Sequence, residues 1–238
     1  MPVIEWKNDE GVAVVVMANG ENRHNLQFVS AMREVLDDIE ADRSVSSVVI
    51  TSIDEKNWSQ GIDLTWLMGK IQGGDYQAVK DFLYGMNSIF TRILLYPVPV
   101  IACMNGHAVA NAAILSCACD FRFMRSDRGF FFFPEIDINI PFLPGMVAIV
   151  KKAIPGYKFD EMLLTGKRCT ATELKEHHII YGAGETEDVL MEETIAFARS
   201  FKKGRGIFGE MKKRMHREII RIIETEDPEY IESLSLTV

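Results

Sequence analysis

Positive charge is in short supply in this chain. Lysine and arginine number 26 against 34 aspartates and glutamates, a formal net charge of −8 at pH 7. A nucleic-acid-binding domain is normally basic, so that class of partner is not expected. No apolar run is long and uninterrupted enough to span a bilayer, and the opening Met1-PVIEWKNDE is mixed and charged rather than a basic and apolar leader. No membrane partner is expected, and the cytoplasm is the expected location. Low-complexity tracts and obvious tandem repeats are missing as well. Cysteines are few, and Cys103, Cys117, Cys119 and Cys169 lack C-x-x-C spacing. With three of them in apolar surroundings, buried free thiols are expected rather than a disulfide framework or a metal set. His177-His178 follow Glu173 by one helical turn, but no second ligand cluster accompanies them. They read as a solvated helix end, with no metal.

Apolar residues are plentiful, at 47% of 238 positions, enough for one large domain or a core with a helical appendage. Val12 to Met17 and Val48 to Ile53 read as strands, with the helical stripe Phe28, Val29, Met32, Val35, Leu36 and Ile39 between them. A second stripe runs from Val79 to Leu94 and stops before Pro97. From Gly156 the reading becomes mostly helical. The last stripe, from Ile207 through Met211 and Met215 to Ile223, predicts a helix that covers the core or a neighbouring subunit. Lysines and arginines cluster along it, read as its solvated face.

Within this frame one acid stands out. Gly129-FFFF-Pro134 leads straight into Glu135, and Ile136 and Ile138 follow. A carboxylate in such surroundings loses hydration, which raises its pKa toward the range where it can take and return a proton near neutrality. Just upstream, Val98 to Met104 reads as a buried strand, Asn105-Gly106 as a turn, and Asn111 as the start of a helix rich in small residues. A helix start offers unpaired N–H groups and the positive end of the helix dipole, which suit an oxygen that becomes negative during reaction. Asn111 reads equally as an ordinary N-cap. In Lys56-NWSQGIDL64 a bend at Ser59-Gln60-Gly61 follows a strand, and Gly61 permits close approach to a ligand. The N–H of Ile62 then points into whatever sits above the bend.

With these blocks the sequence resembles the crotonase superfamily, the enoyl-CoA hydratases and isomerases. The resemblance rests on SQGIDL at 59–64, the 97–120 block with Asn105-Gly106, Pro134-Glu135, and Leu163-LTG166 followed by Ala171-TEL174. It implies an α/β fold, a spiral of ββα units, with a core over residues 1–190 and a helical C-terminal region over 191–238. It implies an acyl-CoA substrate, with coenzyme A part of that substrate and no separate cofactor, and assembly as a homotrimer or hexamer. Residue-by-residue matching puts two backbone donors for the thioester oxygen at Ile62 and Asn111, and places Gly61, Asp63 and Ile114 against the substrate. Arg23 lies where the family loop meets the coenzyme A moiety and takes a binding role. His24 takes none.

The departures separate two activities. Hydratases of this family usually carry two glutamates, and here the first position is Ile114. Isoleucine neither accepts nor donates a proton, so orienting and deprotonating water is left without its second acid. Moving a double bond from the 3 to the 2 position of an enoyl-CoA needs one shuttling carboxylate, and the sequence resembles the single-glutamate isomerases more than the hydratases. A hydratase and a non-catalytic acyl-CoA-binding scaffold remain as alternatives. A nucleotide-binding oxidoreductase, from Tyr181-Gly-Ala-Gly184, is disfavoured because a third glycine is missing and Glu185, Glu187 and Asp188 would repel a pyrophosphate.

Overall fold

The computed structural model describes residues 2–235; positions 236–238 of the expected C-terminal region lie outside them. The chain opens with strands β1 (Ile4–Asp9) and β2 (Val12–Met17), then helix α1 (Leu26–Ala41). Next come β3 (Ser47–Ser52), β4 (Asn57–Ser59), α2 (Leu64–Gln72) and α3 (Tyr76–Leu95). A third unit is β5 (Val100–Met104), β6 (His107–Val109) and α4 (Asn111–Ala118), and a fourth is β7 (Phe121–Arg125), β8 (Phe131–Phe132) and α5 (Glu135–Ile138). Then follow α6 (Pro144–Ala153), α7 (Gly156–Thr165), α8 (Ala171–Glu176), β9 (Gly182–Gly184), α9 (Glu187–Arg199), α10 (Arg205–Thr225) and α11 (Asp227–Ser233).

The middle units deal their strands alternately to two sheets. The first of each pair joins a six-stranded sheet in the order β1-β2-β3-β5-β7-β9, and the second joins a three-stranded sheet, β4-β6-β8. Only β1 and β2 pair antiparallel; the other neighbours run parallel. Parallel neighbours require crossovers, usually helical, and the result is the expected spiral of ββα turns. Because helices cover both faces, the central strands β3 and β5 are buried at every position rather than alternating. Val48 and Ile50 face the main core with α1 and α3, while Val49 between them faces a smaller cluster with Leu190 and Ala198 of α9.

Some boundaries differ from the sequence reading for physical reasons. The strand expected from Val98 starts its regular pairing at Val100; Pro97 and Pro99 carry no N–H to give to a ladder. Gly182-Ala-Gly184 is not a phosphate-binding turn but the edge strand β9. Residue 190, where the core was expected to end, lies inside α9, which packs on β2, β3, β5, β7 and β9. Helices α10 and α11 pack instead on α3, and α10 also on α6.

The basic C-terminal cluster is only partly solvated. Lys212 is buried, paired with Asp120 at 2.7 Å and donating to Ile93 O at 2.8 Å, and Arg205 donates to the carbonyls of Glu40 and Asp42. Of the apolar stripe on α10, Ile223 is buried, while Ile207, Met211 and Met215 are exposed. All four cysteines are buried and free. Among the described residues no helix is long and apolar enough to cross a membrane, and no cluster of three or more His, Cys, Asp or Glu is placed to hold a metal.

Candidate active site

Four of the seven sequence-predicted site residues come together. Ile62, Asn111, Ile114 and Glu135 line one cavity of about 80 Å³, whose remaining wall is apolar and includes Leu67 and Met146. Gly61, Asp63 and Arg23 do not line it.

Each element delivers its residue for a local reason. After β4 the chain turns at Gly61, whose φ of +73° lies in the region that favours glycine. A Cβ there would stand 2.6 Å from Val109 O and 3.1 Å from the amide nitrogen of Asn111. Glycine thus lets the peptide carrying the Ile62 N–H approach the start of α4. Ala110 precedes that helix at φ 54° and ψ −125° without any side-chain cap, so Asn111 is the first helical residue and not the N-cap. Neither the Ile62 nor the Asn111 N–H donates a hydrogen bond to another backbone group among the described residues. At a helix N-terminus this is expected geometry, since the first N–H groups have no intrahelical acceptor.

Glu135 is the first residue of the short α5, directly after Pro134. Its Oε2 is buried and has no hydrogen-bond partner among the described residues. Burial raises its pKa from 4.5 to about 8, opposed only weakly by its own backbone N–H. The same carboxyl borders a second, more open groove of about 380 Å³, walled by Phe133, Ile136, Phe142 and Leu163 among others. Ile114 is buried one helical turn into α4. Glu135 therefore shares an otherwise apolar cavity with Ile62 and Asn111, with no second carboxylate in the lining.

The outlying residues have other partners. Asp63 caps α2, its Oδ1 accepting from Trp66 N at 3.0 Å and its Oδ2 from Asn25 Nδ2 at 3.3 Å. Arg23 pairs with the exposed Glu21 at 2.8 Å. His24, to which the sequence reading gave no role, is buried with its ring between Ser59 and Asn111. Those contacts span 35 and 87 residues, and no local pattern announces them.

This spiral of ββα turns is the crotonase fold. The solved enoyl-CoA hydratase/isomerase family protein from Pseudomonas syringae superimposes with a TM-score of 0.88 at 18% identity, covering 97% of both chains. At that identity the likeness speaks for the fold. The sequence carries the rest: the enoyl-CoA hydratase/isomerase family profile matches residues 7–229, and the chain belongs to that family. It is 28% identical over 224 residues to enoyl-CoA delta isomerase 3 of Arabidopsis thaliana, covering 90% of this chain and 92% of the relative. It is also 31% identical over 193 residues to the human mitochondrial enoyl-CoA hydratase domain-containing protein 3, covering 80% of this chain and 61% of that protein.

Proposed function

We propose that this protein is an enoyl-CoA isomerase that moves a double bond from the 3 to the 2 position of an acyl-CoA. The observation that carries the reading is a single carboxyl, that of Glu135 with its buried Oε2, sharing a cavity with two N–H groups that have no backbone partner among the described residues, while Ile114 fills the place of a second acid. The Glu135 carboxylate removes a proton from C2 of the 3-enoyl thioester. The electron pair moves onto the thioester oxygen, where the N–H groups of Ile62 and Asn111 stabilise the enolate by preorganised hydrogen bonding. Protonated Glu135 then returns the proton at C4, and the double bond re-forms between C2 and C3. A pKa near 8 suits a group that must both take and give a proton near neutrality. The apolar wall at Ile114 helps to keep water from the enolate, and the isomerase name of the Arabidopsis relative supports the same choice.

In this reading Arg23, now paired with Glu21, exchanges that partner for an anionic part of coenzyme A. The exposed stripe of Ile207, Met211 and Met215 on α10 supports assembly of several copies, a trimer or dimer of trimers. Light scattering at micromolar concentration checks this, and a lone monomer counts against it. The activity is tested by offering 3-enoyl-CoA and 2-enoyl-CoA thioesters side by side. Isomerisation of the first with poor hydration of the second is expected. Rapid hydration of 2-enoyl-CoA with Ile114 in place would show that the missing acid does not decide the reaction.

A further inference from the structure

His24 is fully buried and touches both halves of the proposed donor pair. Its backbone brackets Ile62, the His24 N–H donating to Gly61 O at 2.7 Å and the His24 carbonyl accepting from Asp63 N at 2.9 Å. Its ring stacks on Phe28 with centroids 4.1 Å apart. Ring atom Nε2 lies 3.0 Å from Ser59 Oγ, and Nδ1 lies 2.9 Å from Asn111 Nδ2.

The direction of every bond in this row follows from proton counting. Ser59 has one hydroxyl proton, and its Oγ lies 2.7 Å from Asn22 O, which can only accept. That proton is committed, and Oγ also accepts from Gly61 N at 3.1 Å. Nε2 must therefore carry the ring hydrogen and donate to Ser59. In a neutral ring Nδ1 is then bare, and Asn111 Nδ2 donates to it. Burial keeps the ring neutral by pulling its pKa down to about 3. Serine, histidine and asparagine in a row suggest a nucleophilic triad, but the nitrogen facing Ser59 already holds a proton and cannot take another. The opposite assignment would set two hydrogens against each other at Asn111. The amide of Asn111 is thereby fixed, with its Oδ1 left buried and unpartnered.

We infer that His24 is a positioning residue, clamping the Ile62 peptide to the side chain of Asn111 so that both N–H groups converge on one point of the cavity. This inference rests on the reading of those two N–H groups as the donors to the thioester oxygen. No other side chain bonds the side chain of Asn111 among the described residues. A donor that swings away from the developing oxyanion harms the transition state more than the bound substrate, so the loss falls on kcat and spares KM.

The test compares His24→Phe, which keeps a ring against Phe28 but removes both ring hydrogen bonds, with His24→Gln, whose amide supplies one donor and one acceptor. Isomerase kcat and KM are measured for each, alongside wild type and Asn111→Ala, which keeps its backbone N–H. The expected result is a roughly 10- to 100-fold fall in kcat for His24→Phe, with KM changed less than about threefold and most of kcat regained in His24→Gln. Asn111→Ala should show a similar fall, and the double variant no further loss, because both cut the same link. Imidazole ¹⁵N shifts in wild type should report a neutral ring protonated at Nε2 and unchanged between pH 5 and 8. A folded His24→Phe enzyme with wild-type kcat overturns the inference alone. So do additive losses in the double variant and, should His24→Phe fail to fold, a wild-type kcat in Asn111→Ala. A wild type without isomerase activity overturns the proposed function and this inference together.

Discussion

The two ends of the eight-residue helix α4 are treated in opposite ways. At the C-terminal end every free carbonyl has a donor. Lys152 Nζ reaches the carbonyls of Cys117 and Cys119 at 2.8 Å and that of Ala118 at 3.3 Å, and Arg122 adds bonds to those of Ser116 and Cys119. Two cations also suit the negative end of the helix dipole. At the N-terminal end the Asn111 N–H and Oδ1 have no partner among the described residues, Ala110 sits at positive φ, and the one acid lining the adjoining cavity, Glu135, has an unpartnered Oε2. Burying polar groups without partners is unfavourable, so the open end is tolerated only because something else fills it. The saturated end stabilises the fold; in the proposed function the unsaturated end is where the substrate makes the missing bonds.

The largest test of this contrast is Glu135→Gln. Glutamine keeps the shape but cannot cycle a proton, so kcat should fall on the order of 10²–10⁴-fold while acyl-CoA binding, followed by calorimetry, survives. In wild type, kcat/KM should rise with pH and level off above about 8, where Glu135 becomes ionised. Stability runs the other way. The folded state holds this proton up to about 8, whereas the unfolded carboxyl releases it near its ordinary value of 4.5. Between those values the folded state binds more protons, so stability falls as pH rises. Glu135→Gln should then be more stable than wild type above pH 8 and much less distinguishable from it below 4.5. Near-wild-type turnover would move the proton to another residue, with Asp137 the first suspect.

Gly61→Ala attacks the same end through the backbone. Its new methyl meets Val109 O at 2.6 Å in a conformation that alanine rarely adopts. Pushing the Ile62 peptide off the start of α4 should lower kcat by roughly 10- to 100-fold and stability by about 1–3 kcal/mol. Steady-state kinetics and denaturant melts separate the two effects, and unchanged kcat would mean the close approach of these peptides is not used.

Lys152→Met addresses the saturated end, and here the expected loss is stability without catalysis. Removing the ammonium strands buried carbonyls, at about 1–3 kcal/mol for an unsatisfied group, or roughly 2–4 °C of melting temperature per kcal/mol in a chain of this size. Isomerase kcat, measured below the melting range, should stay within about twofold of wild type. A matching fall in kcat would show that the two ends of α4 are coupled, and the contrast between them would lose its meaning.

Legibility in the sequence follows the same division. Glu135, Gly61, Ile62 and the start of α4 are readable because each depends on neighbours in the chain: an acid after four phenylalanines, a glycine at a bend, small residues after a turn. The strand-helix alternation is readable for the same reason, through periodicity. The groups that support the site are not. Lys152 and Arg122 look like any surface cation until the fold brings them to the carbonyls of α4, and Lys212 sat in a basic cluster that reads as solvated but is buried against Asp120. His24 is hidden most completely, since its partners arrive from other turns of the spiral. Asp63 illustrates the reverse: a residue matched to a motif, whose two oxygens are already engaged in capping α2 and in holding Asn25.

The smallest effect expected is a gain. Ala110 is the residue through which the chain enters α4, and its φ of 54° with ψ of −125° is a conformation available to glycine and unfavourable for a side chain. Its carbonyl accepts from Ile114 N at 3.1 Å and its N–H donates to Phe132 O at 3.0 Å. Those bonds hold the strained peptide and, in the proposed function, fix the direction of the following N–H, that of Asn111. Ala110→Gly removes the clash of the methyl without touching either bond. The unfolded chain gains freedom from the same change, which takes back roughly 0.4–1 kcal/mol, so a net stabilisation of about 1 kcal/mol is expected from the relieved strain of about 1–3 kcal/mol. Denaturant melts at fixed pH measure it, with kcat expected within about twofold of wild type because the peptide keeps its direction. A destabilised Ala110→Gly protein would mean that the methyl packs well enough to outweigh the strain, and that the open end of α4 is held by its side chains rather than by its backbone bonds.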